Sequence, residues 1–435
     1  MTLENSLETQ LLSYVDLNQD RLIGLVQDLV RIPSENTPPS GAERACQEYA
    51  ANILRRGGFT TDVYSLDDVK ALREHPQFWP GRNYSNRPNV GARLTGAGGG
   101  KSLILSGHID TVPRGSQPWT RDPFSGDVDG NRLYGRGSND MKAGIATNLF
   151  IAQAVNDLKL RLAGDLIIES VVDEEFGGVN GTLAGRLRGY TADAAVISEP
   201  SFLRVCAAQR GGRIAHITFR APSGGILSEK GMAAGVADQL ALFLSRVPAF
   251  SERRRRSAPP HHYYAHLADP VPVSVMKLFT SPWGATEPMT IADSCKVELY
   301  WQAMPGEERE AIDREFHDWF SSVLAERPDL FPSRPEIEFP YRWLPGSAVQ
   351  PDEELVSELA GCAARVTGEA PPLAGIEGPC DMYIFHQVSG VPAVLWGARG
   401  GNTHAADEYV EIDTVVTAAK ALLLFVSRWC GVAAN

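Results

Sequence analysis

Apolar residues recur at helical spacing from Leu17 to Ile32, in the run LNQDRLIGLVQDLVRI, and Pro33 and Ser34 end it. A second helix follows in GAERACQEYAANILRR, closed by Gly57 and Gly58. Apolar runs predict buried strands over 101–110, 164–172 and 193–198, with a helix over 141–158 between the first two. Strands alternating with helices predict an α/β fold, a mostly parallel sheet with helices on both faces.

Beyond about residue 206 the rhythm changes. The pattern predicts a strand over 213–220, a helix over 231–246, strands over 272–280 and 294–303, a helix over 307–326 and a strand over 336–343. That βαββαβ order is a ferredoxin-like unit. The first rhythm resumes from about Gly346, with a helix over 352–366, a strand over 392–396 and a C-terminal helix from about Thr414. The expected organisation is therefore one domain in two parts, 1–206 and 346–435, interrupted by an inserted domain at 207–345. Arg253 to Arg256, with His261 and His262 nearby, form a basic stretch expected to be a solvated loop of the insert.

Lys plus Arg number 41 against 53 Asp plus Glu, a net charge of −12 spread along the chain, which argues against a nucleic-acid partner. The N-terminal stretch MTLENSLETQLLSY lacks the basic start and apolar core of a signal peptide. No uncharged apolar run approaches the roughly 18 residues of a membrane helix, so a cytoplasmic protein without membrane association is expected. The six cysteines show neither a CxxC pair nor a small-domain disulfide spacing and are expected to be reduced, mostly buried thiols.

Candidate chemistry gathers in five segments: SGHIDTVP with His108 and Asp110, GRGSNDMKAG with Asp140, DEEFGG with Glu174 and Glu175, SEP with Glu199, and GNTHAADEY with His404. Each follows an apolar strand or opens a helix, and ligands of open α/β sheets bind at the carboxyl ends of the strands. Unpaired charge there would be costly. Two histidines and several carboxylates without paired thiolates suit a divalent ion, zinc first, with cobalt or manganese as substitutes. Five candidate ligand groups exceed the four protein ligands of a structural zinc site and point to two ions sharing a carboxylate. His108 and Asp110 share one side of an extended strand, where Asp110 is placed to accept the imidazole proton. Adjacent Glu174 and Glu175 point opposite ways, leaving one as ligand and the other as base. His75, His216, His317 and His386 are read as structural.

These segments resemble the zinc peptidase and deacylase family of acetylornithine deacetylase, succinyl-diaminopimelate desuccinylase, aminoacylase-1 and glutamate carboxypeptidase, peptidase family M20. The most specific stretch is SGHIDTVPRGSQPWTRDPFSGDVDGNRLYGRGSNDMKAG, and the resemblance covers nearly the whole chain. It implies that Asp140 bridges two zinc ions, that His108 and Glu199 complete one site and Glu175 and His404 the other, and that Glu174 is the general base. It also implies a cis peptide between Asp140 and Met141, and an insert that acts as a lid and carries a homodimer contact.

The departures from the family concentrate in the lid. Its oxyanion-stabilising histidine would fall near Gly225, its asparagine near Met289 and its carboxylate-binding arginine near Gln302. Either His261, His262 or His266 replaces the missing donor, or the substrate lacks a free α-carboxylate, or the lid does not close over the site. The expected activity is a dinuclear-zinc hydrolysis of the amide bond of a small N-acyl amino acid-like substrate. The alternatives are a metallo-carboxypeptidase or dipeptidase, and a catalytically silent metal-binding or scaffold homologue.

Overall fold

A computed structural model describes residues 3–175, 177, 180–221, 235–280 and 291–433. Gly225 and Met289 lie outside the described residues. The chain divides into two compact units, the first comprising Met1–Ala208, Ala348–Ile376 and Cys380–Asn435, the second Gln209–Ser347 with Glu377–Pro379.

The first unit is built on a mixed sheet in the order Thr60–Ser65, Pro88–Leu94, Leu166–Ser170, Leu103–Ser106, Ala194–Ile197, Ala393–Leu395, Val205–Gln209. Leu166–Ser170, Leu103–Ser106, Ala194–Ile197 and Ala393–Leu395 run parallel to one another, whereas the strands flanking them pair antiparallel. Leu103, Ile104 and Leu105 are all fully buried. Consecutive strand residues point to opposite faces, so both faces of this strand are covered, as its apolar run requires.

The helix Gln19–Arg31 buries Leu22, Leu25, Val26, Leu29 and Val30, the stripe its spacing predicts. A helix at Leu3–Leu17, not anticipated from the pattern, precedes it. Buried Lys142 donates from Nζ to the carbonyls of Leu29 and Ile32, both at 2.8 Å, so an ammonium meets the carbonyl end of Gln19–Arg31. The same lysine ends the turn that carries Asp140.

A small antiparallel sheet elsewhere in this unit sets Arg132–Tyr134 beside Tyr409–Glu411, with Tyr134 opposite Tyr409, and Gly400–Gly401 on the other side of Tyr409–Glu411. It brings two segments far apart in sequence into register.

In the second unit the strands Gly211–Arg220, Val273–Thr280, Ser294–Ala303 and Glu336–Glu338 form an antiparallel sheet in the spatial order second, third, first, fourth, with helices Val236–Ser257 and Arg309–Glu326. The order is that of a ferredoxin-like unit. Phe219, Phe243, Phe250, Trp301, Phe316 and Phe320 fill its core.

The first of these helices continues through Pro248 to Ser257, eleven residues beyond the expected end at 246. Arg253–Arg256 therefore lie on its last turns, which corrects the expectation of a solvated loop. Arg254 is fully buried and pairs with Glu307 at 2.8 Å and Glu315 at 2.6 Å, both near or on the second helix. A run of like charge reads as solvated only while its partners, here more than fifty residues away, are unseen.

Among the described residues no helix is long and apolar enough to cross a membrane.

Gly144 shows how closely the helix Ala143–Asp157 approaches the strand that ends before Glu199: a Cβ there would lie 2.0 Å from the Ser198 carbonyl oxygen. Gly144→Ala is expected to cost about 1–3 kcal/mol by overpacking and to weaken divalent-ion binding as the helix shifts. Urea melts and zinc titration of the variant check this; unchanged stability would contradict the close approach.

Candidate metal centre

The parallel strands Leu103–Ser106, Leu166–Ser170 and Ala194–Ile197 end on one edge of the sheet, and His108, Glu174, Glu175 and Glu199 lie just beyond those ends. Asp140 sits in the turn Ser138–Lys142 before the helix Ala143–Asp157, and the peptide between it and Met141 is cis, as expected. His404 lies between Gly400–Gly401 and Tyr409–Glu411.

The seven residues singled out from the sequence come together. His108 Nε2 is 3.0 Å from Asp140 Oδ1, 3.5 Å from Glu199 Oε1 and 3.9 Å from Glu174 Oε2. His404 Nε2 is 3.3 Å from Asp140 Oδ2 and 3.0 Å from Glu175 Oε2. Asp140 thus turns one oxygen to each histidine. Two groups result, His108 with Asp140 and Glu199, and Asp140 with Glu175 and His404, each with ligand atoms within 4.8 Å of one another.

Asp110 departs from its expected contact in detail. His108 Nδ1 lies 2.8 Å from the Asp110 backbone carbonyl and 3.5 Å from its carboxylate Oδ1, so the carbonyl is the nearer partner for the ring N–H. The carboxylate instead accepts the backbone N–H groups of Glu174 and Glu175, both at 3.3 Å, and the side-chain amide of Asn36 at 2.7 Å. Asp110 therefore fixes where both glutamates begin. They diverge: Glu175 reaches His404 and accepts from the Val112 N–H at 3.1 Å, while Glu174 faces His108.

Sequence reading missed the support behind the DEE segment. Asp173 has a left-handed backbone (φ 76°), and its buried carboxylate accepts from Tyr84 Oη at 2.8 Å, Arg87 at 3.3 Å, Asn36 at 3.3 Å and Arg82. Arg87 in turn forks onto buried Glu43, with Nη2 2.7 Å from Oε1 and Nε 2.9 Å from Oε2. Strain of this kind persists only where the surroundings over-determine it. The only sequence signal is the first acid of the DEE run, and its partners lie 86 to 137 residues away.

His216 pairs with Glu298 at 2.9 Å, and His386 accepts from the Ala393 N–H at 3.0 Å. His75 accepts from the Gln77 N–H at 3.1 Å, and His317 packs edge-on to Phe339. His261 and His262 stack on each other within the second unit. In that unit the Gln302 amide donates to the Glu377 carbonyl at 2.6 Å and to Tyr300 Oη at 3.0 Å.

Burial pushes Glu174 and Glu199 well above the usual carboxylate range, although the charge of His108 opposes it in both. Burial and the neighbouring Asp140 raise Glu175 to about 7. Burial would also raise Asp140 and Asp110, yet other contacts outweigh it: hydrogen bonds to His108 and His404 hold Asp140 below the usual range, and the adjoining His108, the Asn36 amide and Arg87 bring Asp110 to about 2. Hydrogen bonds to Asp140 and Glu175 lift His404 to about 10; in His108 burial is outweighed by the charge of Glu199 and bonds to Asp110 and Asp140. The donor set fits a divalent cation: buried carboxylates resist ionisation for want of compensating charge, and their oxygens and the imidazoles already face common points.

The family model for peptidase family M20/M25/M40 matches residues 104–428, and the chain belongs to that family, whose members hydrolyse amide bonds. A full-length relative is an N-formyl-4-amino-5-aminomethyl-2-methylpyrimidine deformylase of Halalkalibacterium halodurans, 28% identical over 97% of each chain. The fold is shared with human carnosine dipeptidase 1, with a TM-score of 0.74 at 16% identity over 98% of this chain and 99% of that one. It is shared too with a dinuclear metal-binding M20 peptidase of Bacillus subtilis, with a TM-score of 0.62 at 17% identity over 95% and 99% of the two chains.

Because hydrogen bonds to Asp140 and Glu175 raise His404 to about 10, it carries at neutral pH a proton that a cation must displace. Zinc binding at pH 7 is expected to release protons, and the apparent affinity to rise as pH climbs from 6 to 9. Calorimetry in two buffers of different ionisation enthalpy reads this directly; identical heats would contradict it.

Proposed function

We propose that this chain is a dinuclear-zinc deacylase that cleaves the amide bond of a small N-acyl amine. The observation that carries the reading is Asp140, whose two oxygens face two separate groups of ligand atoms. His108 and Glu199 complete the holder of one ion, and Glu175 and His404 that of the other. When bound, the ions supply Lewis acidity for the substrate carbonyl and for water.

Glu174 belongs to neither ligand group and lies beside His108. Its raised proton affinity suits a base that takes a proton from water and returns it to the leaving amine, because a carboxylate of ordinary acidity would hold the proton too weakly. Asp110 acts through others: it holds the backbone of both glutamates and supplies the carbonyl that orients His108.

For the substrate, the full-length relationship to a deformylase of an aminopyrimidine favours an N-formyl or other small N-acyl amine without an α-carboxylate. Gln302, where the family resemblance implies a carboxylate-binding arginine, supports the same choice: its amide is neutral and already donates to Tyr300 and the Glu377 carbonyl. Zinc is preferred over cobalt or manganese for a mixed imidazole and carboxylate set.

Glu174→Gln is expected to bind zinc as the parent does while turnover falls at least 10²-fold. The assay is amine release from a panel of N-formyl amines, N-acyl amino acids and dipeptides, with the first class expected to lead. Undiminished turnover in the variant would refute the assigned base, and release from dipeptides alone would replace the deacylase with a dipeptidase.

A further inference from the structure

Asp140 and His404 are 264 residues apart, yet their ligand atoms lie 3.3 Å from each other. The two halves of this pair are not equally supported. His108 is buried and braced through its second ring nitrogen, whereas the His404 side chain is half exposed and its backbone is left-handed (φ 64°). Something other than packing must hold the His404 segment against the Asp140 turn.

That support is Glu408. Its side chain is buried and both oxygens are spent on the Asp140 turn: Oε2 accepts from Arg136 Nη1 at 2.6 Å and the Gly137 N–H at 3.0 Å, and Oε1 from the N–H groups of Asn139 and Asp140, both at 3.1 Å. Arg136, equally buried, extends Nη2 to the Ala405 carbonyl at 3.1 Å, directly after His404. On the other side, Asn139 Nδ2 donates to Thr403 Oγ1 at 2.8 Å. The residues on either side of His404 are thus tied to the residues just before Asp140, and one carboxylate organises the joint. Charge-assisted bonds to backbone N–H groups are strong, and they set the direction of the Asp140 backbone itself.

We propose that Glu408, with Arg136, is a positioning residue that sets the affinity of the second ion site, formed by Asp140, Glu175 and His404, and acts less on the site of His108, Asp140 and Glu199, which it reaches through Asp140 alone. Glu408 touches neither ion nor substrate; it acts by fixing Asp140 Oδ2 and His404 Nε2 relative to each other. In Glu408→Gln an NH₂ group would face backbone donors in place of one oxygen, and the charge opposite Arg136 would vanish. The His108 group keeps its own supports, the strand end and the Asp110 carbonyl. This inference rests on the two-ion reading above.

The test is zinc titration of the apoprotein by calorimetry, with equilibrium dialysis for stoichiometry. The parent is expected to bind two ions, and Glu408→Gln to weaken one about 10- to 100-fold while the other changes clearly less. Glu169→Gln, which breaks the buried Arg186–Glu169 pair of the same unit, is the control for loss of stability alone and is expected to keep both affinities. Arg136→Lys, which keeps the charge but not the fork between Glu408 and Ala405, is expected to show the same selective weakening should Glu408→Gln fail to fold. A parent that binds fewer than two ions overturns the two-ion reading and this inference with it. A parent that binds two, with both sites unchanged in the folded variants, weakened equally, or weakened only as much as in Glu169→Gln, overturns the inference alone.

Discussion

The structure depends on one electrostatic constraint: the acidic side chains Asp110, Asp140, Glu174, Glu175 and Glu199, with buried Asp381 close enough to act on two of them, converge with His108 and His404 at the carboxyl ends of parallel strands. Removing such groups from water disfavours their charge, and their proximity disfavours it again. The raised positions of Glu174, Glu175 and Glu199 are the visible result. A fold that keeps this arrangement must hold the groups rigidly and must gain by binding positive charge among them.

The rigidity comes from polar ties that a hydrophobic core could not supply. Asp173 is pinned by Arg82, Arg87, Tyr84 and Asn36, and the next two backbone N–H groups by Asp110, so Glu174 and Glu175 leave the chain from fixed points. Lys142 fastens one end of the Asp140 turn to the end of a helix, and Glu408 fastens the other to the His404 segment. Cutting the ties of Asp173 or Glu408 leaves a buried arginine without its carboxylate, which makes the site sensitive to changes at residues outside the two ligand groups.

Much of this was legible in the sequence, for a definite reason. His108, Glu174, Glu175 and Glu199 follow short apolar runs, and parallel strands end on the same side, so the pattern puts these four at one end of the sheet. The ferredoxin-like insert was readable because its strands and helices keep their periods. What escaped depends on contacts across long stretches of chain. Asn36, Arg82 and Arg87 look like ordinary surface residues until Asp173 is seen beside them, and Glu408 looks like part of a loop until the small sheet pairs Tyr409 with Tyr134. Arg254 follows the same rule: a helix that passes through Pro248 carries it into the interior, to Glu307 and Glu315. Local pattern reports which face of an element is apolar; it is silent on which distant charge will neutralise a buried one.

In the two-ion reading proposed above, Asp140 divides its two oxygens between the ions. A crystal grown with zinc, with anomalous difference maps recorded across the zinc edge, tests it most directly. The expected result is two peaks roughly 3.5–4 Å apart, one against Oδ1 beside His108 and Glu199 and one against Oδ2 beside Glu175 and His404. A single peak, or two peaks of which neither touches Asp140, would contradict the account.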